Sequence, residues 1–316
     1  MGRPLCTRHP LLYHLSVFQK RACRQLWWTF GGARFAGSVG EPFHETVCTH
    51  RSLLVRKLAG TDPALQRNKV TNLAIAAPLL SGTLVRPGET LSFWRLVGRP
   101  VASRGFLPGL QLSMGSMQEV TGGGLCQLSN LLHWMLLHSE MTFVERHRHG
   151  FDAFPDYRRT VPFGSGATVF YNYHDLMCRN GTDMTYHLEV WLDEQYLNGR
   201  LTCDTALPAR ARIVERGHRF VRRGGEIFRE NELWRIREHR ESGAVLAEEL
   251  VMANSAVVVV HGDNATRGMA VNAPLTPIYA SDNIGSAVGA AGYELTANIS
   301  GVCPECGRAI TNSSPD

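Results

Sequence analysis

The chain has 316 residues, 44% of them hydrophobic, so it is long enough to bury a substantial core in one large or two medium domains. Its formal charge of +5 suits contact with an acidic surface, but the basic residues are scattered and no nucleic-acid-binding motif is present, which argues against a nucleic-acid partner. The spacing of its eight cysteines is irregular, which excludes a disulfide framework.

Residues 1–30 are predicted to form a basic amphipathic segment. Five apolar residues recur at helical spacing and make one stripe, with most basic residues off it: Leu11, Leu15, Phe18, Ala22 and Leu26. The segment lacks a convincing cleavage site and is a poor signal peptide. Such a helix either lies in a membrane interface or, as we favour, packs on its own domain. The compartment therefore stays open between the cytoplasm and a peripheral position on a membrane.

The next elements predict an α+β fold. Residues 68–80 read as a helix with Val70, Leu73, Ala74 and Ala77 inward, which Pro78 would end or kink. A Pro-Gly turn then leads into a short strand at 90–94, and strand-like segments such as 166–173 continue to about residue 260. We expect a central helix carrying the Gly-Gly-Gly-Leu-Cys-Gln sequence to pack on a mainly antiparallel sheet.

That central helix follows three glycines, Gly122–Gly124, and its apolar positions begin at Leu125. Cys126 is therefore predicted in the first helical turn, where unpaired N–H groups and the helix dipole favour a thiolate. The glycines would let a substrate approach the backbone closely and could supply N–H groups as an oxyanion hole. We interpret Cys126 as a nucleophile; the alternative is a small buried residue after a flexible turn.

A cysteine nucleophile needs a base, and histidine fits near neutral pH. His133 shares the helix face of Cys126 but lies ~10 Å along the axis, too far for a hydrogen bond. His147 and His149 follow in a segment that looks extended, where residues two apart point to the same side. Each of these two could instead be a solvated histidine in a basic run.

Four stretches in this order and spacing resemble the VanW family: 68–73, 87–94, 122–130 and 145–149. The resemblance covers about residues 31–261, which we predict to be one VanW-like domain, followed by a low-complexity, partly disordered tail at 262–316. It implies a cell-envelope or antibiotic-resistance context. For some multidomain relatives it also implies a thiol-dependent L,D-transpeptidase activity on peptidoglycan.

The resemblance also ranks the site residues. His149 matches the histidine of the family's Arg-x-x-His pattern, so it is preferred to His147 as the base beside Cys126. From position alone, Arg146 would either pair with a carboxylate of the substrate or be a surface charge. Gly123, Gly124, Gln127 and Asn130 complete the predicted substrate-binding set, with the alternative that Asn130 simply satisfies local backbone groups. Relatives typically have an aspartate where this chain has Gly166, so a base would have to be oriented by another group, such as Asp152 or Asp175, or the protein is not catalytic.

Three functions remain open. The first is a cysteine-dependent acyl-transferase acting on a peptidoglycan stem peptide. The second is a non-catalytic accessory protein that binds a cell-wall precursor or a pathway partner, with contact to a membrane surface as a further option. The third is an intracellular thiol peptidase or amidase. We expect no cofactor and no metal, because Cys303 and Cys306 supply only half of a four-ligand zinc site.

Overall fold

The computed structural model describes residues 10–55, 62–113, 116–148, 151–152, 161–207 and 209–258. Its α-helices are α1 (Pro10–Phe30), α2 (Pro63–Leu80), α3 (Phe93–Val97) and α4 (Cys126–Leu136), with a 3-10 turn at Ala102–Arg104. The strands are β1 (Arg34–Phe35), β2 (Glu45–Leu53), β3 (Thr83–Val85), β4 (Glu89–Ser92), β5 (Pro108–Ser113), β6 (Ser116–Thr121), β7 (Thr142–Glu145), β8 (Phe151–Asp152), β9 (Met177–Arg179), β10 (Tyr186–Leu192), β11 (Tyr196–Cys203), β12 (Ala209–Arg223), β13 (Glu226–His239) and β14 (Val245–Val258). The predicted α+β class is confirmed.

The chain divides into two compact units. The first comprises Met1–Lys57, Thr61–Arg148 and Gly166–Arg210, and the second comprises Leu58–Gly60, His149–Ser165 and Ala211–Asp316. The first unit therefore contains all four α-helices of the described ranges. The predicted boundary at residue 261 and the predicted tail at 262–316 lie outside the described residues, as do Cys303 and Cys306.

Two four-stranded sheets and a hairpin form the framework of the first unit. One sheet has the order β2-β11-β10-β3 and is antiparallel throughout. The other has the order β1-β4-β9-β7, in which only the β1–β4 pair is parallel. β5 and β6 form the hairpin. α4 packs against β2 and β11, and α2 packs against β10 and β5, so both long core helices cover strands of the unit.

The core of the first unit is apolar and continuous. α4 contributes Leu128, Leu131, Leu132, Met135 and Leu136, all at most 1% exposed. Because these residues recur at alternating steps of three and one, they form the buried stripe that the sequence predicted. α4 is therefore held rigidly along its length, and the residue at its first position is held with it.

α2 begins at Pro63, five residues before the predicted start, and differs from the prediction in two further ways. The helix continues through Pro78 to Leu80. Proline has no N–H to donate to the carbonyl of Ala74, but Ala74 and Pro78 are both exposed, so the missing hydrogen bond faces outward. Ala74 itself is exposed, so its predicted inward position was wrong. The buried face instead includes Asn72, Leu73 and Ala76, and it is centred on the side that meets β10 and β5.

The prediction of a strand at 166–173 was also wrong, because this segment does not form a regular strand. It makes isolated bridges, His147 with Thr168 and Phe170 with His174, and then turns at 171–173. Its path is fixed by side chains rather than by a strand ladder: Ser129 Oγ donates to Ala167 O at 2.6 Å, for example. Local β propensity was overridden by tertiary contacts.

The second unit is a sheet with the order β12-β13-β14-β8. Its long strands place apolar Leu233, Ile236 and Ala256 in the interior. Asn231 and Asn254 are buried beside them, and Asn254 Nδ2 donates to Asn231 Oδ1 at 2.9 Å. This interior is thus smaller and more polar than the core of the first unit.

Candidate active site at Cys126

The glycines before α4 are held by direct backbone contact. A side chain at Gly123 would collide with the backbone of Gly109 in β5, and Gly124 has φ +94° with the Lys69 side chain packed where its Cβ would be. Only glycine fits these two positions, because the first needs backbone-to-backbone approach and the second needs the left-handed region. Asn72 of α2 fixes the loop further by donating to Gly123 O at 2.9 Å.

Cys126 occupies the first position of α4, as predicted. Its Sγ lies 3.7 Å from Val169 O, and since a carbonyl oxygen only accepts, this contact is made by the protonated thiol. Burial raises the pKa of Cys126, and this outweighs the lowering by backbone hydrogen bonds with Val169 and with Cys126 itself. The predicted shift towards thiolate therefore has the opposite direction in the folded protein.

The N–H groups around Cys126 fall into two sets. Gly122 N donates to Leu107 O at 3.0 Å and Gly123 N donates to Val120 O at 2.9 Å, so these two amides are used within the loop. Within the described residues, the amides of Gly124 and Leu125 have no protein acceptor, as expected just before the first turn of a helix. An oxyanion hole beside Cys126 would therefore use these later amides.

A cavity of about 500 Å³ opens beside the thiol. Gly122, Gly124 and Cys126 form part of its wall. Its other polar lining residues include three bases, two tyrosines and a glutamine: His14, Arg21, Arg99, Tyr171, Tyr173 and Gln111. The lining contributed by the described residues includes no Asp or Glu. The wall is therefore electropositive, and it suits a ligand that carries a carboxylate.

Three of the predicted substrate-binding side chains are instead bonded to the protein. Gln127 Nε2 donates to Ser52 Oγ at 2.9 Å and to Leu53 O at 2.8 Å, which ties α4 to β2. Asn130 Oδ1 accepts from Ala167 N at 2.8 Å. Arg146 donates to Gly166 O from Nε at 3.0 Å and from Nη2 at 2.6 Å.

Asn130 and Arg146 together position the segment that carries Val169. Burial and the nearby charge of Arg148 lower the pKa of Arg146 to about 10, so its guanidinium remains charged at neutral pH. A Cβ on Gly166 would lie 2.6 Å from Asn130 Oδ1, so an aspartate at this position would displace Asn130. The glycine and the asparagine thus fit each other in this chain.

A second polar cluster surrounds Glu145. Its carboxylate accepts from Arg24 Nη2 at 2.7 Å and from Asp175 N at 2.8 Å, and it lies 2.9 Å from His147 Nε2. These donors outweigh burial and lower the pKa of Glu145 to about 2. The ring of His147 lies against that of His174, with 3.8 Å between centroids and a tilt of 46° between the ring planes. His147 is therefore held by Glu145, whereas the preferred base, His149, lies outside the described residues.

Sequence reasoning found Cys126 and Gly124 on the cavity wall but missed the cationic lining. Tyr171 and Tyr173 had a weak signal, because they alternate along a segment that follows the glycine-rich stretch at 164–166. His14, Arg21 and Arg99 had none, since they come from distant parts of the chain. The described residues bring together no group of three His, Cys, Asp or Glu side chains that could hold a metal ion.

Comparison with known proteins defines the family. A sequence model described as "VanW like protein" matches residues 68–202. The chain is 33% identical over 255 residues to the "Vancomycin B-type resistance protein VanW" of Enterococcus faecalis, covering 79% of this chain and 91% of that protein. It is 27% identical over 117 residues to the "Uncharacterized protein YoaR" of Bacillus subtilis, which is 36% of each chain. No solved structure matches. Since the first relative is matched over nearly its whole length, the chain belongs to the VanW family.

Proposed function

We propose that this protein is a vancomycin-resistance-associated protein that takes a cell-wall stem peptide at the Cys126 cavity and acts as a cysteine-dependent acyl-transferase. The resistance context rests on the name of the Enterococcus relative. The reaction rests on one observation: Cys126 and Gly124 share the wall of a cavity whose described lining includes Arg21 and Arg99 but no Asp or Glu. A thiol, nearby backbone amides and carboxylate-binding cations are the groups that acyl transfer from a peptide requires.

The chemistry is a two-step transfer. Sγ of Cys126 attacks the carbonyl of the residue that precedes a D-amino acid, and the thiol proton passes through a base to the leaving amine. The carbon–nitrogen bond breaks, D-alanine leaves and a thioester remains. The amine of a second stem peptide then takes the acyl group and releases the thiol. The free amides of Gly124 and Leu125 would stabilise the oxyanion, and Arg21 or Arg99 would bind the terminal carboxylate.

Two histidines are candidates for the base. His149 is the family-matched candidate, and His14 is the described histidine that lines the cavity. Separate His14→Ala and His149→Ala variants distinguish them, because only loss of the base should lower the rate of acylation at saturating peptide. Loss of a binding contact should chiefly weaken affinity.

The decisive experiment is intact-mass spectrometry of the protein incubated with a synthetic stem tetrapeptide in which an L-residue is followed by a terminal D-alanine. We expect a thioester adduct whose mass equals the peptide minus D-alanine. It should be absent in Cys126→Ala and present when exposed Cys23 is replaced by alanine. An unmodified wild-type protein, or an adduct that survives Cys126→Ala, would contradict the proposal.

A second candidate function is non-catalytic binding of the same peptide. It is favoured by the raised pKa of Cys126, which burial causes and which keeps the sulfur protonated. Isothermal titration decides between the two. Binding of the tetrapeptide without turnover, unchanged in Cys126→Ala, would identify an accessory binding protein.

A further inference from the structure

The outward face of α1 is apolar. Five large side chains along it are between 58% and 79% exposed: Leu11, Leu15, Phe18, Leu26 and Phe30. They span nearly the whole helix, which is about 30 Å long at 1.5 Å per residue. A continuous exposed stripe of this length is unusual on a soluble surface and indicates an interaction face.

The opposite, polar face of α1 holds the helix on the first unit. Arg24 pairs with Glu145 through side chains that are 15% and 16% exposed. Arg21 Nε donates to Tyr171 O at 3.2 Å, and Lys20 Nζ lies 4.8 Å from the centroid of the Tyr173 ring. Helices that pack on a core usually bury their apolar stripe. In α1 the apolar stripe is exposed and the polar face lies against the first unit. Its orientation is fixed by these polar contacts.

The charge of the chain is concentrated in the same region. Residues 1–40 contain six Lys or Arg and no Asp or Glu: Arg3, Arg8, Lys20, Arg21, Arg24 and Arg34. The whole chain carries only +5, so the other 276 residues together are close to neutral. The exposed apolar stripe is thus part of a segment that attracts anionic surfaces.

We infer that α1 docks the protein on an anionic lipid bilayer. The apolar stripe would lie at the boundary of headgroups and acyl chains, with the helix axis in the membrane plane. Within the described residues no helix is long and apolar enough to cross a membrane, so docking is interfacial. A second copy of the chain fits less well, because pairing two α1 faces would bring together two segments that each carry a formal charge of +6.

Docking by α1 would also bring the cavity beside Cys126 close to the membrane surface. His14, Val17 and Arg21 of α1 line it, so one helix would serve as membrane contact on one face and as cavity wall on the other. The cavity would then lie at headgroup level, where a lipid-linked ligand can reach it. The docking itself is independent of the chemistry at Cys126.

Vesicle sedimentation tests this inference with the full chain. We expect wild-type protein to sediment with phosphatidylcholine vesicles that contain phosphatidylglycerol and much less with phosphatidylcholine alone, and salt should release it. Leu15→Gln/Phe18→Gln should lower the partition coefficient about tenfold or more, because two apolar side chains no longer enter the bilayer. Both positions are exposed, so circular dichroism and the melting temperature should stay unchanged.

The matched control is Leu246→Gln/Leu250→Gln, which removes two exposed leucines from β14 (57% and 48% exposed). It should sediment like wild type. The inference is overturned if wild-type protein stays in the supernatant, if neutral vesicles bind it equally, or if both double variants lose binding to the same extent. A dimer in light scattering that Leu15→Gln/Phe18→Gln converts to a monomer would assign the face to a second copy instead.

Discussion

Asp175 is a buried carboxyl group in the middle of the first unit. It accepts from Ser92 Oγ at 2.6 Å and from Trp94 N at 3.1 Å, and it is 1% exposed. Burial raises its pKa to about 6 against these hydrogen bonds. Because its backbone N–H also donates to Glu145, the residue joins the turn before α3 to the cluster around Arg24.

The raised pKa of Asp175 predicts a pH dependence of stability. Its folded pKa lies above the unfolded value near 3.8, so the folded state binds more protons between about pH 4 and pH 6, and the contribution of Asp175 to stability falls as pH rises through that interval. The amide side chain of the Asp175→Asn variant cannot ionise. The free energy of unfolding of wild type relative to Asp175→Asn should therefore drop by up to about 3 kcal/mol from pH 4 to pH 7.

Urea unfolding of the two proteins at several pH values measures this difference. Asp193→Asn is the control, because hydrogen bonds lower the pKa of exposed Asp193, the first from Gln195 N, and its dependence should have the opposite sign. A wild-type-to-Asp175→Asn difference that does not change with pH would show that Asp175 is ionised in both states.

Residue types at the site were predicted unevenly. Cys126 and Gly124, which line the cavity, were singled out because a triple glycine before an apolar helix is a local signal. Gln127, Asn130 and Arg146 were singled out as ligand contacts, but the structure shows what their side chains bond instead: β2, Ala167 N and Gly166 O. The same amide or guanidinium can bind a ligand or bond to the protein itself, and which of the two it does depends on the partner that the fold places beside it.

Asn72 connects α2 to the glycine loop before α4. Its side chain accepts from Leu107 N at 2.8 Å and donates to Leu107 O and Gly123 O, both at 2.9 Å. The residue is fully buried, and both of its amide protons are used on these two loops. The backbone that presents Cys126 therefore depends on a side chain from another helix.

We expect Asn72→Ala to lower the free energy of unfolding by about 3 kcal/mol, because it leaves buried backbone groups of Leu107 and Gly123 without partners. Asn68→Ala is the matched control one turn earlier. Asn68 makes one exposed hydrogen bond, to Pro108 O at 2.8 Å, so its loss should cost less than about 1 kcal/mol. Chemical denaturation measures both, and equal small losses would refute a structural role for Asn72.

The helices were more predictable than the connecting segments. α4 and most of α2 follow from apolar residues at helical spacing, which is set by the chain itself. The segment 166–173 has strand-like composition but is held by side chains of α4 and the residue after β7, through Ser129, Asn130 and Arg146. Those contacts join positions about 20 to 40 residues apart, which local propensity does not contain.

The two compact units differ in what fills them. The first unit holds the continuous apolar cluster that includes α2, α4, β10 and β11. In its described part the second unit buries few large apolar side chains, and it buries Arg229, Glu230, Asn231 and Asn254 alongside them. Since apolar burial is the main favourable term in folding, the second unit should be the less stable of the two.

Hydrogen exchange followed by mass spectrometry should show this order. We expect amides of α4, β10 and β11 to be the most protected and amides of β12–β14 to exchange at least about tenfold faster, through opening of the second unit alone. Peptides from β5–β6, a two-stranded hairpin of the first unit, provide an internal reference. Equal protection across both units would indicate a single cooperative transition instead.

The sequence by itself determined the α+β class, the helix that begins at Cys126, the glycines before it and the amphipathic α1. Each of these depends on spacing within one segment, and hydrophobic periodicity and glycine geometry are local. Tertiary structure alone decided that the polar face of α1 docks inward, that the cavity beside Cys126 is lined by basic residues from two distant segments, α1 and the loop at Arg99, and that burial raises the pKa of the thiol. Burial and electrostatic environment depend on every element packed around a group, so they exist only once the chain has folded.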